Sequence, residues 1–198
     1  MNASLALSRN KLRKELRQQR RTLSGAYKKF VSKRITTLLE RSGWLQRGNR
    51  VGVYLATAEE LNLQPLIERA WQRGCKVFVP HIIHSRRGTM LFYPFDEQSS
   101  LKEHRWGIPQ LANARMAVTT RSLDVVLMPL VGFDRLGHRL GMGGGFYDRH
   151  FAYTLRTRTH KPFLIGVAYA CQEVSAIDVQ PHDVRLDAAV TENAFIRF

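Results

Sequence analysis

Short apolar runs separated by segments of helical periodicity constrain this chain more than any other feature. Val51–Leu55 (VGVYL), Cys75–Pro80 (CKVFVP), Asp124–Leu130 (DVVLMPL) and Phe163–Ala168 (FLIGVA) read as buried strands, and Ala188–Thr191 as a last short one. Thr89–Phe95 (TMLFYPF) reads as a further strand at a sheet edge, because Pro94 has no N–H to give to a neighbour. Between the first two strands Leu66, Ile67, Ala70 and Trp71 share a helix face; Asn62 or Gln64 opens that helix, Pro65 sits in its first turn and Gly74 stops it. A helix is expected over about residues 146–156, and irregular chain over 96–123 and 171–187. Strands alternating with helices predict an α/β domain of three layers, with a mainly parallel, Rossmann-like sheet.

The first 48 residues read differently. Leu12, Leu16 and Leu23 fall on one helical face, and Arg9, Arg13, Arg17, Arg20 and Arg21 on a neighbouring one. Ser24 suits the N-cap of a second helix whose stripe is Tyr27, Phe30, Val31, Ile35, Leu38 and Leu39, with Gly43 at its end. Residues 1–50 hold 14 basic residues against Glu15 and Glu40, a balance of +12; residues 51–198 hold 17 against 14, or +3. The excess charge therefore lies in this helical region, and polyanions such as RNA, ATP or anionic cofactors are the partners it favours. At 198 residues and 44% hydrophobic content, one domain comprising residues 1–198 is expected, with basic helices (1–48) packed on an α/β body (49–198). No apolar run reaches the roughly 18 residues of a membrane span. Neither a secretory signal nor a mitochondrial presequence is expected. Two cysteines, Cys75 and Cys171, are too few for a disulfide scaffold or zinc finger and suit a reducing, cytoplasmic setting.

The segment from Arg139 to Asp148, RLGMGGGFYD, carries the chemistry. Gly141, Gly143, Gly144 and Gly145 add nothing to a core but let backbone N–H groups converge, and between a strand and a helix they would face a phosphate. The spacing is neither GxxxxGK[ST] nor GxGxxG, so neither a P-loop nor a dinucleotide fingerprint is supported. A flexible hinge is the plain alternative; the flanking Arg139, Tyr147, Asp148 and Arg149 favour anion binding.

The stretch Leu130–Arg149 (LVGFDRLGHRLGMGGGFYDR) resembles the signature of the 5-formyltetrahydrofolate cyclo-ligase (methenyltetrahydrofolate synthetase) family. Weaker features follow in the family's order: the basic N-terminal helix, Leu55 with Glu60, Phe78–Pro80, Trp106–Pro109, Asp124–Pro129, Ala168–Gln172 and His182-Asp183. The resemblance covers essentially the whole chain. It implies an ATP- and Mg²⁺-dependent ligase that closes 5-formyltetrahydrofolate to 5,10-methenyltetrahydrofolate, releasing ADP and phosphate. It also implies a fold shared with sugar-phosphate isomerases and CoA transferases, so fold alone would not give function.

Carried onto this sequence, the resemblance assigns ATP contacts to Arg9, Asn10, Lys11, Leu12 and Arg13, and to Arg139, Leu140, Gly141, Met142, Gly143, Gly144, Gly145, Phe146 and Tyr147. Arg139 and Tyr147 are the catalytic candidates. The family pattern opens with Lys where this chain has Arg9, so either Arg9 or Lys11 is the first phosphate contact. Gly144 stands where some members carry Lys, and Phe146 replaces a commoner Tyr. Leu55, Glu60, Trp106 and Met142 to Phe146 would touch the folate, with Glu60 accepting from pterin N–H groups; Glu59 beside it has no assigned role. Asp148 and Asp183 would hold Mg²⁺, against plain readings as a first-turn and a loop acid.

Arg17, Arg20 and Arg21 read as a solvated charged face, and Asp134 as turn structure. His81, His84, His104, His138, His150, His160 and His182 lack zinc-ligand spacing, and neither cysteine shows the setting of an activated thiol. A monomer is expected. The alternative from a different class is a basic RNA-binding protein without ATP turnover; no interleaved basic and aromatic strand face supports it. A third reading, a sugar-phosphate isomerase, would need no nucleotide.

Overall fold

The computed structural model describes residues 2–84, 89–103, 109–114, 116–156 and 162–198. Two helices lead the chain, α1 (Asn2–Thr22) and α2 (Gly25–Arg41). Ser24 caps α2 as expected, its hydroxyl accepting from the Tyr27 amide. The body continues with β1 (Arg50–Gly52), α3 (Gln64–Gln72), β2 (Lys76–His84), β3 (Thr89–Pro94), β4 (Leu101–Glu103), β5 (Pro109–Leu111), β6 (Val125–Pro129), β7 (Gly132–Phe133), β8 (Arg139–Leu140), α4 (Phe146–Phe151), β9 (Phe163–Val167), β10 (Ala188–Val190) and β11 (Phe195–Arg197).

Seven strands form one sheet in the order β11-β10-β9-β6-β1-β2-β3. The five central strands are parallel, and β3 and β11 add antiparallel edges. Pro94 sits on edge strand β3, where its missing N–H costs no ladder bond.

Residue alternation along the strands divides the core. Val51, Val77, Val79, Val125, Leu127 and Ile165 point to one face, where they meet Val31, Ile35 and Leu39 of α2 and Leu66, Ile67 and Ala70 of α3. Phe78, Phe92, Val126, Met128 and Leu164 point to the other, toward Phe151 of α4, Val184 and Leu186. Both faces are covered, which is why the strands read as continuous apolar runs. A third, smaller cluster seats α1: Leu12 and Leu16 pack on Val131, Leu140 and Ile177.

Several elements differ from expectation. The 96–123 segment contains the hairpin β4/β5, and the loop after β6 contains β7/β8. Edge strand β11 was unanticipated. The strand expected over Val51–Leu55 ends at Gly52; Val53 makes one more bond, to the Phe78 carbonyl, and the chain then leaves the sheet. The helix expected to Arg156 stops at Phe151 and tightens into a 3₁₀ turn over Ala152–Leu155. That turn brings Tyr153 within 3.2 Å of the Thr120 hydroxyl, with the Arg121 guanidinium over its ring.

Candidate active site

The strand order reverses direction between β1 and β6: β1 leads outward to β2, and β6 leads the opposite way to β9 and β10. Open α/β sheets bind ligands in the crevice at the carboxyl ends of such strands. In this chain that crevice receives the loop after β1, with Leu55 and Glu60, and the loop after β6, with the glycines. A cleft there is walled by Tyr54, Leu55, Glu60, Ile82, Met90, Pro129, Arg139, Gly141, Met142 and the Gly144–Asp148 segment.

The glycine loop is held at both ends. Upstream, the buried Asp134 carboxylate ties the β7/β8 turn together by accepting from the amides of Leu136 and His138 and from Ile177 across the fold; this is the turn role expected of it. Downstream, Arg149 bonds back to the Gly144 carbonyl and lies over the Phe146 ring. Between these anchors Gly143 (φ +100°) and Gly145 (φ +62°) adopt left-handed conformations that side chains with a Cβ resist. Gly143 and Gly144 are exposed, with their backbone open for close approach.

Helix α1 supplies cations to this loop. Arg13 Nε donates to the Gly141 carbonyl oxygen at 2.8 Å, and its Nη1 donates to Asn10 Oδ1 at 2.7 Å. Arg9, 8% exposed, donates to the Asp178 carbonyl and to Asp183 Oδ2 at 2.6 Å. Burial lowers the Arg13 pKa, and the like charge of Arg9 lowers it further. Lys11 lies on the outer face of α1 with Lys14, Glu15, Gln18 and Gln19. Of the two candidates for the first phosphate contact, Arg9 therefore faces the body.

The remaining candidates form a linked set. Arg139 donates to Asp148 Oδ1 at 2.6 Å and to the Val184 carbonyl, while the Val184 amide donates to the same Asp148 oxygen at 3.1 Å. Asp183 adjoins Val184, so the pairs Arg139–Asp148 and Arg9–Asp183 share one turn of chain. Burial works against the charged form of Asp183, but the bonds from Arg9 and the Gln180 amide outweigh it and hold the carboxyl below the usual range. Among the described residues no three His, Cys, Asp or Glu side chains cluster as a metal site.

On the opposite wall, Glu60 Oε2 accepts from the Thr57 amide at 2.9 Å and the Thr57 hydroxyl at 3.0 Å. Burial raises the pKa of Tyr147, and the nearby Glu60 charge raises it further; both effects act likewise on Tyr54, whose hydroxyl donates to the Leu61 carbonyl. Both phenols stay protonated. Leu55, Met142 and Phe146 supply apolar contact, while Leu140 is a core residue of β8. Trp106 lies outside the described residues.

Two residues escaped the sequence reading. Glu59 receives bonds from three arginines: Arg17 at 2.9 Å, Arg20 at 3.4 Å, and Arg21. Arg20 thereby departs from the solvated face expected of these arginines, while Arg17 and Arg21 keep solvent exposure beside Glu59. Arg20 is only 2% exposed and also reaches the Leu130 carbonyl. Long cationic side chains can bury their stems beside apolar neighbours and still meet an acid, and spacing alone did not reveal it. The second is Gln110 on β5, in the cleft wall, for which no local pattern gave a signal.

Comparison with known proteins bears on this site. Residues 6–192 match the model of the 5-formyltetrahydrofolate cyclo-ligase family. The 5-formyltetrahydrofolate cyclo-ligase of Escherichia coli is 37% identical over 179 residues, covering 89% of this chain and 96% of that protein. The Haemophilus influenzae protein of the same name is 30% identical, covering 90% and 94%. The fold is that of the Aquifex aeolicus 5,10-methenyltetrahydrofolate synthetase determined by NMR, with a TM-score of 0.79 at 24% identity over 96% of this chain and 92% of that one.

Proposed function

The chain belongs to the 5-formyltetrahydrofolate cyclo-ligase family, and from that premise we propose how its residues share the ATP-dependent closure of 5-formyltetrahydrofolate to 5,10-methenyltetrahydrofolate. The family assignment sets the RNA-binding alternative aside, and the pairing of Arg17, Arg20 and Arg21 with Glu59 agrees with that.

A formyl amide carbon is a poor electrophile and its oxygen a poor leaving group. The formyl oxygen attacks the γ-phosphorus of ATP, and the bond to the ADP oxygen breaks. N10 then attacks the activated carbon, the C–O bond breaks with its electrons leaving on phosphate, and N10 releases its proton. Such a reaction asks the protein to hold two ligands in line and to neutralise charge. The observation that carries the reading is the meeting of the glycine loop with Arg13 and Arg139 at the mouth of an apolar cleft bearing Glu60.

The backbone amides of Gly143 to Gly145 and the guanidinium of Arg13 would bind the triphosphate, and an anion there relieves the mutual repulsion of Arg9 and Arg13. Arg139, locked by Asp148 and the Val184 carbonyl, would meet charge developing on the transferring phosphoryl group. The protonated Tyr147 hydroxyl would donate to the formyl oxygen or to phosphate, and Glu60 would accept from ring N–H groups of the pterin. For Mg²⁺, Asp148 suits a one-carboxylate site completed by phosphates, because its bonds fall on Oδ1. Asp183 gives both oxygens to Arg9, so a cation there requires that pair to open. When bound, Mg²⁺ would neutralise phosphate charge. Two free cysteines accord with a reducing, cytoplasmic compartment.

The test is incubation of the purified protein with 5-formyltetrahydrofolate, with and without MgATP, following the absorbance of the methenyl product. Product that requires ATP is expected; no product in its presence would end the proposal. Glu60→Gln should raise the KM for folate and leave that for ATP unchanged.

A further inference from the structure

Gln110 sits at the middle of β5, paired in register with Lys102 of β4, and β5 packs against β2. Its side chain is 97% removed from solvent, at 3% exposure, and it faces the cleft beside Ile82 and Met90. Its Nε2 has no hydrogen-bond partner among the described residues. Arg20, Trp44, Arg50 and His150 also carry an unpartnered buried nitrogen, but none of these four lines the cleft. A buried donor left unmade costs free energy that a leucine of similar shape would not, so a folded chain has a reason to carry it only if something else accepts.

We propose that Gln110 is a specificity-determining residue whose amide donates to the ring carbonyl of the substrate's pterin. The inference rests on the folate reading of the cleft. Glu60 offers that cleft an acceptor, and Gln110 offers a donor. A flat heterocycle presenting adjacent N–H groups and a lactam carbonyl satisfies both, whereas a ring with an amino group in place of the carbonyl would set donor against donor. A site built to hydrogen-bond one edge rejects analogues that leave its polar groups unpaired.

The experiment compares wild type with Gln110→Leu. Wild-type turnover of 5-formyltetrahydrofolate with MgATP is measured first; if it is absent, the folate reading itself fails. With that turnover in hand, Gln110→Leu should raise the KM for folate about fivefold to tenfold, leave the KM for ATP unchanged, and leave Tm equal or higher, since a buried unmade donor has been removed. Wild type should also discriminate against the analogue carrying an amino group in place of the lactam carbonyl, and Gln110→Leu should lose that discrimination. An unchanged folate KM, an equal rise in both KM values with a lowered Tm, or the same discrimination in both proteins would overturn the assignment.

Discussion

Arg13 donates from Nε to the carbonyl oxygen of Gly141 at 2.8 Å, joining positions 128 residues apart. The contact places a cation of α1 against the glycine loop that lines the cleft, so loop shape and local charge are set together. Arg13→Lys keeps the charge but loses the planar fork that reaches Gly141 and Asn10 at once. The KM for ATP should rise about tenfold with Lys and up to about a hundredfold with Ala, with the folate KM little changed. Initial rates at varied ATP decide this, and an unaltered KM would remove Arg13 from the nucleotide side.

Gly143 holds φ at +100°. Gly143→Val places a β-branched side chain where the backbone must approach phosphate. Calorimetric titration should find ATP binding abolished while circular dichroism shows the fold retained. Undiminished affinity would mean that the nucleotide lies elsewhere.

Helix α1 approaches β7 so closely that a Cβ on Gly132 would lie 2.5 Å from Leu16 Cδ1. Gly132→Ala should therefore destabilise the protein by about 1–3 kcal/mol, the usual cost of overpacking, and raise the KM for ATP by displacing Arg13. Adding Leu16→Ala makes room and should recover part of both losses. A double-mutant cycle on Tm with no coupling would show that the contact does not control the seating of α1.

The Glu59 carboxyl is held at about 2, below its usual 4.5, chiefly by the Arg17 hydrogen bond, with Arg21 adding to it against the cost of burial. A carboxyl depressed on folding contributes stability that is complete above 4.5 and disappears as pH falls toward 2. Wild-type Tm should fall through that interval. Glu59→Gln should lower Tm near neutrality and flatten the acid slope; parallel pH profiles for the two proteins would refute the clamp.

The central strands were legible because a sheet covered on both faces leaves uninterrupted apolar runs, as Val125–Pro129 and Phe163–Val167 do. Strands of two or three residues were not. Phe195–Arg197 and the β7/β8 pair are too short to display a period, and only their antiparallel pairing across a tight connection defines them. Within the site, the glycine spacing stood out because no core needs it. The burial of Arg20 was hidden, since helical spacing shows which residues share a face but not whether that face meets water or an acid such as Glu59. Gln110 was invisible for a related reason: an amide stands out only once its Nε2 is found buried without a partner among the described residues.

Arg9, Arg13, Arg17, Arg20 and Arg21 all bond to groups on the body. The leading helix is thus docked on the body through its arginines, with Arg13 against the glycine loop, rather than a free charged handle. If Arg13 binds the triphosphate as proposed, any fusion, clip or binding protein that levers the helix away should weaken ATP binding from outside, with the sheet left standing.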